Sequence, residues 1–335
     1  MTSAEPPHSE RPHTLLTRAR AKHAAAPLGP VLGASGLGPY RGYAEMLDQI
    51  EALASRGFRL HVIGRSVEGE PLLALHYGAE PRGSLARTTV VLSGVHPMEW
   101  IGVESHLRLL QRLVGSELGE RSVVAIPVVN PDGVRRVEGR LRALRLSQVR
   151  ANFVRHNARG VDLNRNFDAR WGRLGLVQRL LGGLFDPGSG AASEPEVVAL
   201  AHHLAACRVD RAISLHSFGG AVLFPSAWST RPVHDEGEHR AWALRLARAI
   251  DPQRPYVAAA CARWAKGIVA GGLELDWFHE RHGAVSLLVE CSRGGRGLTP
   301  TRLLSPFAWF NPPNVDREAE AIASAIAPFV RGDAA

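Results

Sequence analysis

The sequence predicts an α/β domain, a sheet covered on both faces by helices. Two observations carry that prediction. Short apolar runs such as TTVVLSGV, SVVAIPVVN and AVSLLVECS read as buried strands rather than half-exposed ones. Between them lie stretches with apolar residues at helical spacing, and strands alternating with helices build covered sheets.

In chain order, residues 1–38 are rich in Pro, Gly, Ala, Arg and His. They read as a flexible leader with one short helix around Leu15–Ala26. YAEMLDQIEALASRG places Met46, Ile50 and Leu53 at helical spacing and ends at Gly57. RLHVIGRS and PLLALHYG flank VEGE as the arms of a hairpin. TTVVLSGV follows as a buried strand, IGVESHLRLLQRLVGS as a helix, and SVVAIPVVN as a strand ending at Asn130-Pro131-Asp132-Gly133. Residues 134–160 carry many arginines and little periodicity, which suggests a long surface loop of the kind that often serves function. SEPEVVALAHHLAAC reads as a helix with Ser193 as N-cap and Glu196 closing a capping box. RAISLHS and AVSLLVECS add two more buried strands, and EHRAWALRLARAI and REAEAIASAIAPFV two more helices.

The 335 residues are 45% apolar, enough for a sizeable core and too apolar for wholesale disorder. Net charge is +8, and all but two of the 40 basic residues are arginine. They are scattered and not interleaved with aromatics, which argues against a nucleic-acid partner. Cys207, Cys261 and Cys291 form no C-x-x-C pair, so a reducing compartment is expected instead of a disulfide framework. The N-terminus shows no apolar signal segment, and no run approaches the roughly eighteen apolar residues of a membrane span. The expectation is a cytoplasmic protein with no membrane partner; the oligomeric state stays open.

Three strands finish on residues that can do chemistry. TTVVLSGV delivers His96 and Glu99, RAISL delivers His216, and SLLV delivers Glu290. Ligands of open α/β sheets bind beyond the carboxyl ends of strands, so these residues are placed at one rim. Two imidazoles and a carboxylate are the protein ligands of a common catalytic zinc, and His96, Glu99 and His216 supply them. Glu290 is the candidate base. Any one of these alone is more simply a loop residue; the set of four is the signal. His61, His76, His106, His202, His203, His279 and His282 have no comparable setting and read as structural or surface. In RHNARGVDLNRNFDARW, Arg155, Asn164 and Arg165 offer planar donors for a carboxylate or oxyanion. The plainer alternative is a solvated basic loop with Asp162 pairing Arg165.

These residues resemble the zinc carboxypeptidase family. The resemblance rests on GVHPMEW, NPDGV, RHNARGVDLNRNF, SEPE, ISLHS, GGLELDWFHERHG and LLVEC, in that order, and runs from about Tyr40 to Ala327. It implies one catalytic domain over 39–330 with a mixed, mainly parallel eight-stranded sheet and helices on both faces. It implies one Zn2+ held by residues matching His96, Glu99 and His216, a general base at Glu290, and carboxylate binders at Asn164 and Arg165. The oxyanion arginine falls on Arg155, with Arg150 and Arg159 as neighbours in a loop of variable length. The implied reaction is hydrolysis of the C-terminal amide of a peptide with a free terminal carboxylate.

The chain departs from the family at several positions. Met98 stands where digestive members carry arginine between the zinc His and Glu, and Ile268 where many carry a tyrosine. Leu275, the position lining the specificity pocket, argues against a C-terminal Lys or Arg; the adjacent Glu274 would reverse that after a small register shift. RHNARGVDLNRNF is also similar to murein-peptide amidases of the family, which act on cell-wall peptides. An aspartoacylase-like deacylase and a peptide-binding module with decayed catalysis are the remaining alternatives.

Overall fold

The computed structural model describes residues 12–23, 37–143, 154–264, 269–294 and 306–334. The helices are α1 (Pro12–His23), α2 (Tyr43–Ala54), α3 (Trp100–Leu113), α4 (Pro131–Ala143), α5 (Leu176–Leu180), α6 (Pro195–Leu204), α7 (Glu236–Ile250), α8 (Cys261–Trp264), α9 (Glu274–His282), α10 (Pro306–Phe310) and α11 (Val315–Arg331). The strands are β1 (Arg59–Arg65), β2 (Pro71–Gly78), β3 (Arg87–Ser93), β4 (Arg121–Ile126), β5 (Arg208–His216), β6 (Ala221–Phe224), β7 (Val257–Ala260) and β8 (Val285–Glu290). They form one eight-stranded sheet in the order β1-β2-β4-β3-β5-β8-β6-β7. The central β4-β3-β5-β8 run is parallel, and the β1/β2, β2/β4 and β6/β8 pairings are antiparallel.

The central strands are apolar throughout because both faces are covered. Val91, Val123, Ile213 and Leu287 turn to a large core shared with α2, α3, α7 and α11. Val90, Leu92, Val124 and Ala212 turn to a second core with Leu200 of α6 and Trp277 and Phe278 of α9. Full burial of each such side chain contributes about 1.5–3 kcal/mol, so the strand order is fixed from both sides. The expected single α/β domain with its mixed eight-stranded sheet is present. Strands β6 and β7, four residues each, are too short to have stood out in the sequence.

Three expectations are corrected. The arginine-rich stretch after residue 134 is not a loop over its first third. It continues α4, whose Val134, Val137 and Leu141 are buried along one stripe while Arg135, Arg136 and Arg142 are part-exposed and paired with Glu70, Glu68 and Glu138. The leader's expected short helix is present as α1, but it is docked and not loose: Leu16 is fully buried in the main core. The rest of the expected leader, apart from Leu37 and Gly38, lies outside the described residues. Finally, α6 begins with Glu194 as N-cap and Pro195 in its first turn, with no side-chain cap. Ser193 instead bonds Asn166 and Glu194, and Glu196 accepts from the Val67 amide and from Asn157.

Cys207, Cys261 and Cys291 are free thiols. Among the described residues no helix is long and apolar enough to cross a membrane.

Candidate metal centre

β3 ends at Ser93, and a short turn carries the chain through His96 to Glu99, the residue that precedes α3. Gly102 lets this helix approach β5 closely: a Cβ there would meet the Leu215 carbonyl oxygen at 2.6 Å. That approach brings Glu99 to His216, the last residue of β5. His96 Nδ1 lies 2.9 Å from Glu99 Oε1, and His216 Nδ1 lies 3.0 Å from Glu99 Oε2. The two Nδ1 atoms are 3.1 Å apart. All three side chains are buried.

The outward nitrogens explain this convergence. His96 Nε2 donates to Asp162 Oδ1 at 3.1 Å, and His216 Nε2 donates to Glu274 Oε1 at 2.6 Å. A ring whose proton is held at Nε2 carries its lone pair at Nδ1. Two imidazole lone pairs and a carboxylate therefore face one point, with donor atoms within 4.8 Å of one another. Such a set is mutually repulsive without a positive charge at its centre. Protons show the same demand: burial raises Glu99, but His96 and His216 outweigh it and hold the acid at about 2. Burial lowers His216, but Glu274 and Glu99 outweigh it and push the ring to about 10. The donor set, two imidazoles and one carboxylate, fits zinc.

Glu290 closes β8 and is the register partner of His216 across the parallel β5/β8 ladder. Burial, and then the charge of Glu99, raise its carboxyl to about 8. Arg155 approaches from the segment that follows the undescribed 144–153. Its Nε donates to Asp162 Oδ2 at 2.7 Å, and its guanidinium lies 5.3 Å from the Phe185 ring centroid. The Arg165 guanidinium sits at the same distance from that ring. Asp162 thus ties His96, one of the candidate metal ligands, to Arg155, and it also caps the turn Leu163–Arg165 by accepting from Asn164 N. It is fully buried yet held well below the usual carboxylate range, because Arg155, Arg165 and His96 outweigh its burial.

Asn164 and Arg165 are both buried at the rim. Gly272, at φ +79, crosses directly over the Arg165 backbone, where a Cβ would collide. The crossing lets Asn164 Oδ1 accept from Glu274 N at 3.3 Å, which seats α9 against the Leu163–Arg165 turn. The other asparagines of this segment are structural pins. Asn157 Nδ2 donates to Glu194, and Asn166 Nδ2 donates to Pro187 O and Gly190 O.

The structure brings His96, Glu99 and His216 together and places Glu290, Arg155, Asn164 and Arg165 around them. Arg159 is largely exposed and leans toward Glu194 at 3.7 Å, outside this group. Leu275 is 1% exposed in an apolar cluster with Leu273, Leu288 and Ala270, so its side chain lies behind the site instead of on an open wall. Met98 is fully buried in the main core, where its carbonyl accepts from Asn311. Ile268 and Arg150 lie outside the described residues.

Two partners were missed from sequence. In the sequence Asp162 figures only in the plainer alternative, as a mate for Arg165, and Glu274 only as a pocket residue displaced by register. Nothing in linear spacing shows that each receives a ring proton from one of the candidate metal-binding histidines.

The comparisons agree with this architecture. A model of the zinc carboxypeptidase family matches residues 43–318, and the chain belongs to that family. Carboxypeptidase B of Helicoverpa zea is 32% identical over 143 residues, covering 39% of this chain and 32% of that protein. The chain spans less than half the length of the curated relatives it matches. Bovine thrombin-activatable fibrinolysis inhibitor, solved with tick carboxypeptidase inhibitor, superposes with a TM-score of 0.66 at 24% identity, covering 87% of this chain and 97% of that one. The murein-tripeptide amidase MpaA of Escherichia coli O157 superposes with a TM-score of 0.54 at 22% identity, covering 84% and 97%. At these identities the superpositions establish the shared fold.

Proposed function

We propose that this chain is a zinc-dependent carboxypeptidase that hydrolyses the C-terminal amide of a peptide. One observation carries the reading. His96 and His216 are oriented by Asp162 and Glu274 so that both Nδ1 lone pairs meet Glu99, with Glu290 on the neighbouring strand. Zinc, when bound, supplies a Lewis acid that polarises a carbonyl and lowers the pKa of a water.

The chain's own groups do the rest. Glu290 takes the proton of the attacking water on a carboxylate oxygen and returns it to the leaving amine. Its raised pKa lets it hold that proton near neutral pH. Arg155, pinned through Nε on Asp162, stabilises the oxyanion with its terminal nitrogens. Arg165 and the amide of Asn164 receive the terminal carboxylate and so favour cleavage at the chain end. Phe185 backs both guanidinium groups and limits water there.

Glu290→Gln tests this. The variant is expected to bind zinc like the parent and to lose turnover; parental turnover overturns the mechanism. Dipeptides, a murein tripeptide and N-acyl amino acids assayed side by side separate an α-peptide carboxypeptidase from a cell-wall peptide amidase and a deacylase. Full zinc loading with no turnover on any of them identifies a decayed binding module. Fractionation of the native cell tests the cytoplasmic placement.

A further inference from the structure

We propose that His234, Asp235 and His279 form a second, peripheral site for a divalent cation of the zinc type. It shares no residue with the centre described above. His234 and Asp235 lie immediately before α7, and His279 lies in the second turn of α9.

The geometry converges on one point. His279 Nε2 lies 2.9 Å from Asp235 Oδ1, and His234 Nε2 lies 3.8 Å from Asp235 Oδ2. One ligand atom from each residue falls within a sphere of mutual distances under 4.8 Å. Zinc with ligand distances of about 2.0–2.2 Å needs its donors about 3.5 Å apart. Small rotamer changes of His234, whose side chain is 86% exposed, meet that requirement. Two imidazoles and a carboxylate leave a fourth position to water or to a further protein donor.

Asp235 gives independent support. It is the N-cap of α7, where an aspartate ordinarily accepts from the first backbone N–H groups. Here its side chain makes no cap bond and turns to the imidazoles instead. A third ring stands behind it. His239 is fully buried, with Nδ1 3.2 Å from the Asp235 carbonyl oxygen and its ring centroid 5.1 Å from that of His279. Its Nε2 is buried with no hydrogen-bond partner among the described residues. The Asp235 carboxylate thus leaves the helix start uncapped, bonds His279 and has His234 within 3.8 Å, an arrangement that a cation held by His234, Asp235 and His279 accounts for. Once filled, the site ties the start of α7 to α9, the helix whose first turn carries Glu274 and Asp276.

Metal-free full-length protein titrated with zinc alone, with bound metal counted by elemental analysis, tests the proposal. The parent is expected to bind two equivalents of unequal affinity. His234→Ala alters an exposed side chain and leaves the fold intact, so it is expected to lose the weaker equivalent and keep the tighter one. His96→Ala is expected to do the reverse, which separates failure of this site from failure of the first. A single equivalent in the parent, or two equivalents retained by both His234→Ala and His279→Ala, overturns the proposal.

Discussion

Glu274 Oε1 lies 2.6 Å from His216 Nε2, and neither side chain is open to solvent. The carboxylate therefore sets both the tautomer and the angle of a ring that faces the metal point. Removing a carboxylate behind a metal-ligating histidine typically costs about 10–100-fold in metal affinity or activity. Glu274→Ala is expected to weaken zinc binding within that range in a chelator competition. Unchanged affinity would mean that Glu274 only fills space.

Asp162 holds two partners, so its loss has a larger structural effect. Asp162→Ala leaves the largely buried Arg155, 15% exposed, without its fully buried carboxylate. Breaking a buried ion pair from one side costs about 3–5 kcal/mol, and the expected result is a marked fall in thermal midpoint. Arg155→Lys, by contrast, keeps a cation beside Asp162 and is expected to preserve zinc content. It loses the planar fork, and turnover should fall by about 10²–10³. Calorimetry and steady-state kinetics on the two variants distinguish the roles.

Asp276 provides a pH signature. It is buried, accepts from the Ala227 amide, and its pKa is raised by that burial to about 7. The unfolded chain ionises this group near 3.8. Between those values the unfolded state releases the proton more readily. The protein is therefore relatively more stable below pH 4 with respect to this group, and loses that advantage as pH rises through 7. Each unit of difference is worth about 1.4 kcal/mol. Asp276→Asn keeps an acceptor for Ala227 and is expected to flatten the fall in thermal midpoint across this window. An identical pH profile would show that Asp276 ionises normally.

Leu16 tests the reach of the domain toward its N-terminus. Its side chain is fully buried with Met46 and Leu47 in the main core. Leu16→Ala is expected to destabilise by about 2–5 kcal/mol, read from denaturant midpoints. A loss under half a kilocalorie would show that α1 contributes little to the fold.

Metal removal should register in stability as well as turnover. A ligand that binds only the folded state stabilises by RT ln(1 + [L]/Kd). The chelated protein is expected to melt lower and to recover with added zinc. A melting curve indifferent to zinc would argue against the His96, Glu99, His216 site.

Much of this was legible in the residues themselves. Strands buried on both faces announce themselves as unbroken apolar runs, which is why β3, β4, β5 and β8 were readable, together with the His96, Glu99, His216 and Glu290 they deliver. Helix α4 was not, because Val134, Val137 and Leu141 are outnumbered by part-exposed arginines. The meeting of Glu99 with His216 and the seating of Glu274 depend on two close backbone approaches, at Gly102 and Gly272, that no local pattern encodes. The same holds for His279: the sequence offers it no setting beyond a structural or surface one, and only the packing of α9 beside the start of α7 puts it next to Asp235.

His216 and Glu290 sit opposite one another on adjacent strands. Neighbouring strands run about 4.8 Å apart whatever their side chains. In the proposed function, the gap between the metal point and Glu290 is thereby inherited from backbone pairing and insulated from the surrounding loops. If that proposal holds, insertions, deletions or wholesale rebuilding of those loops would redirect which substrates are admitted while this distance stays where the ladder puts it.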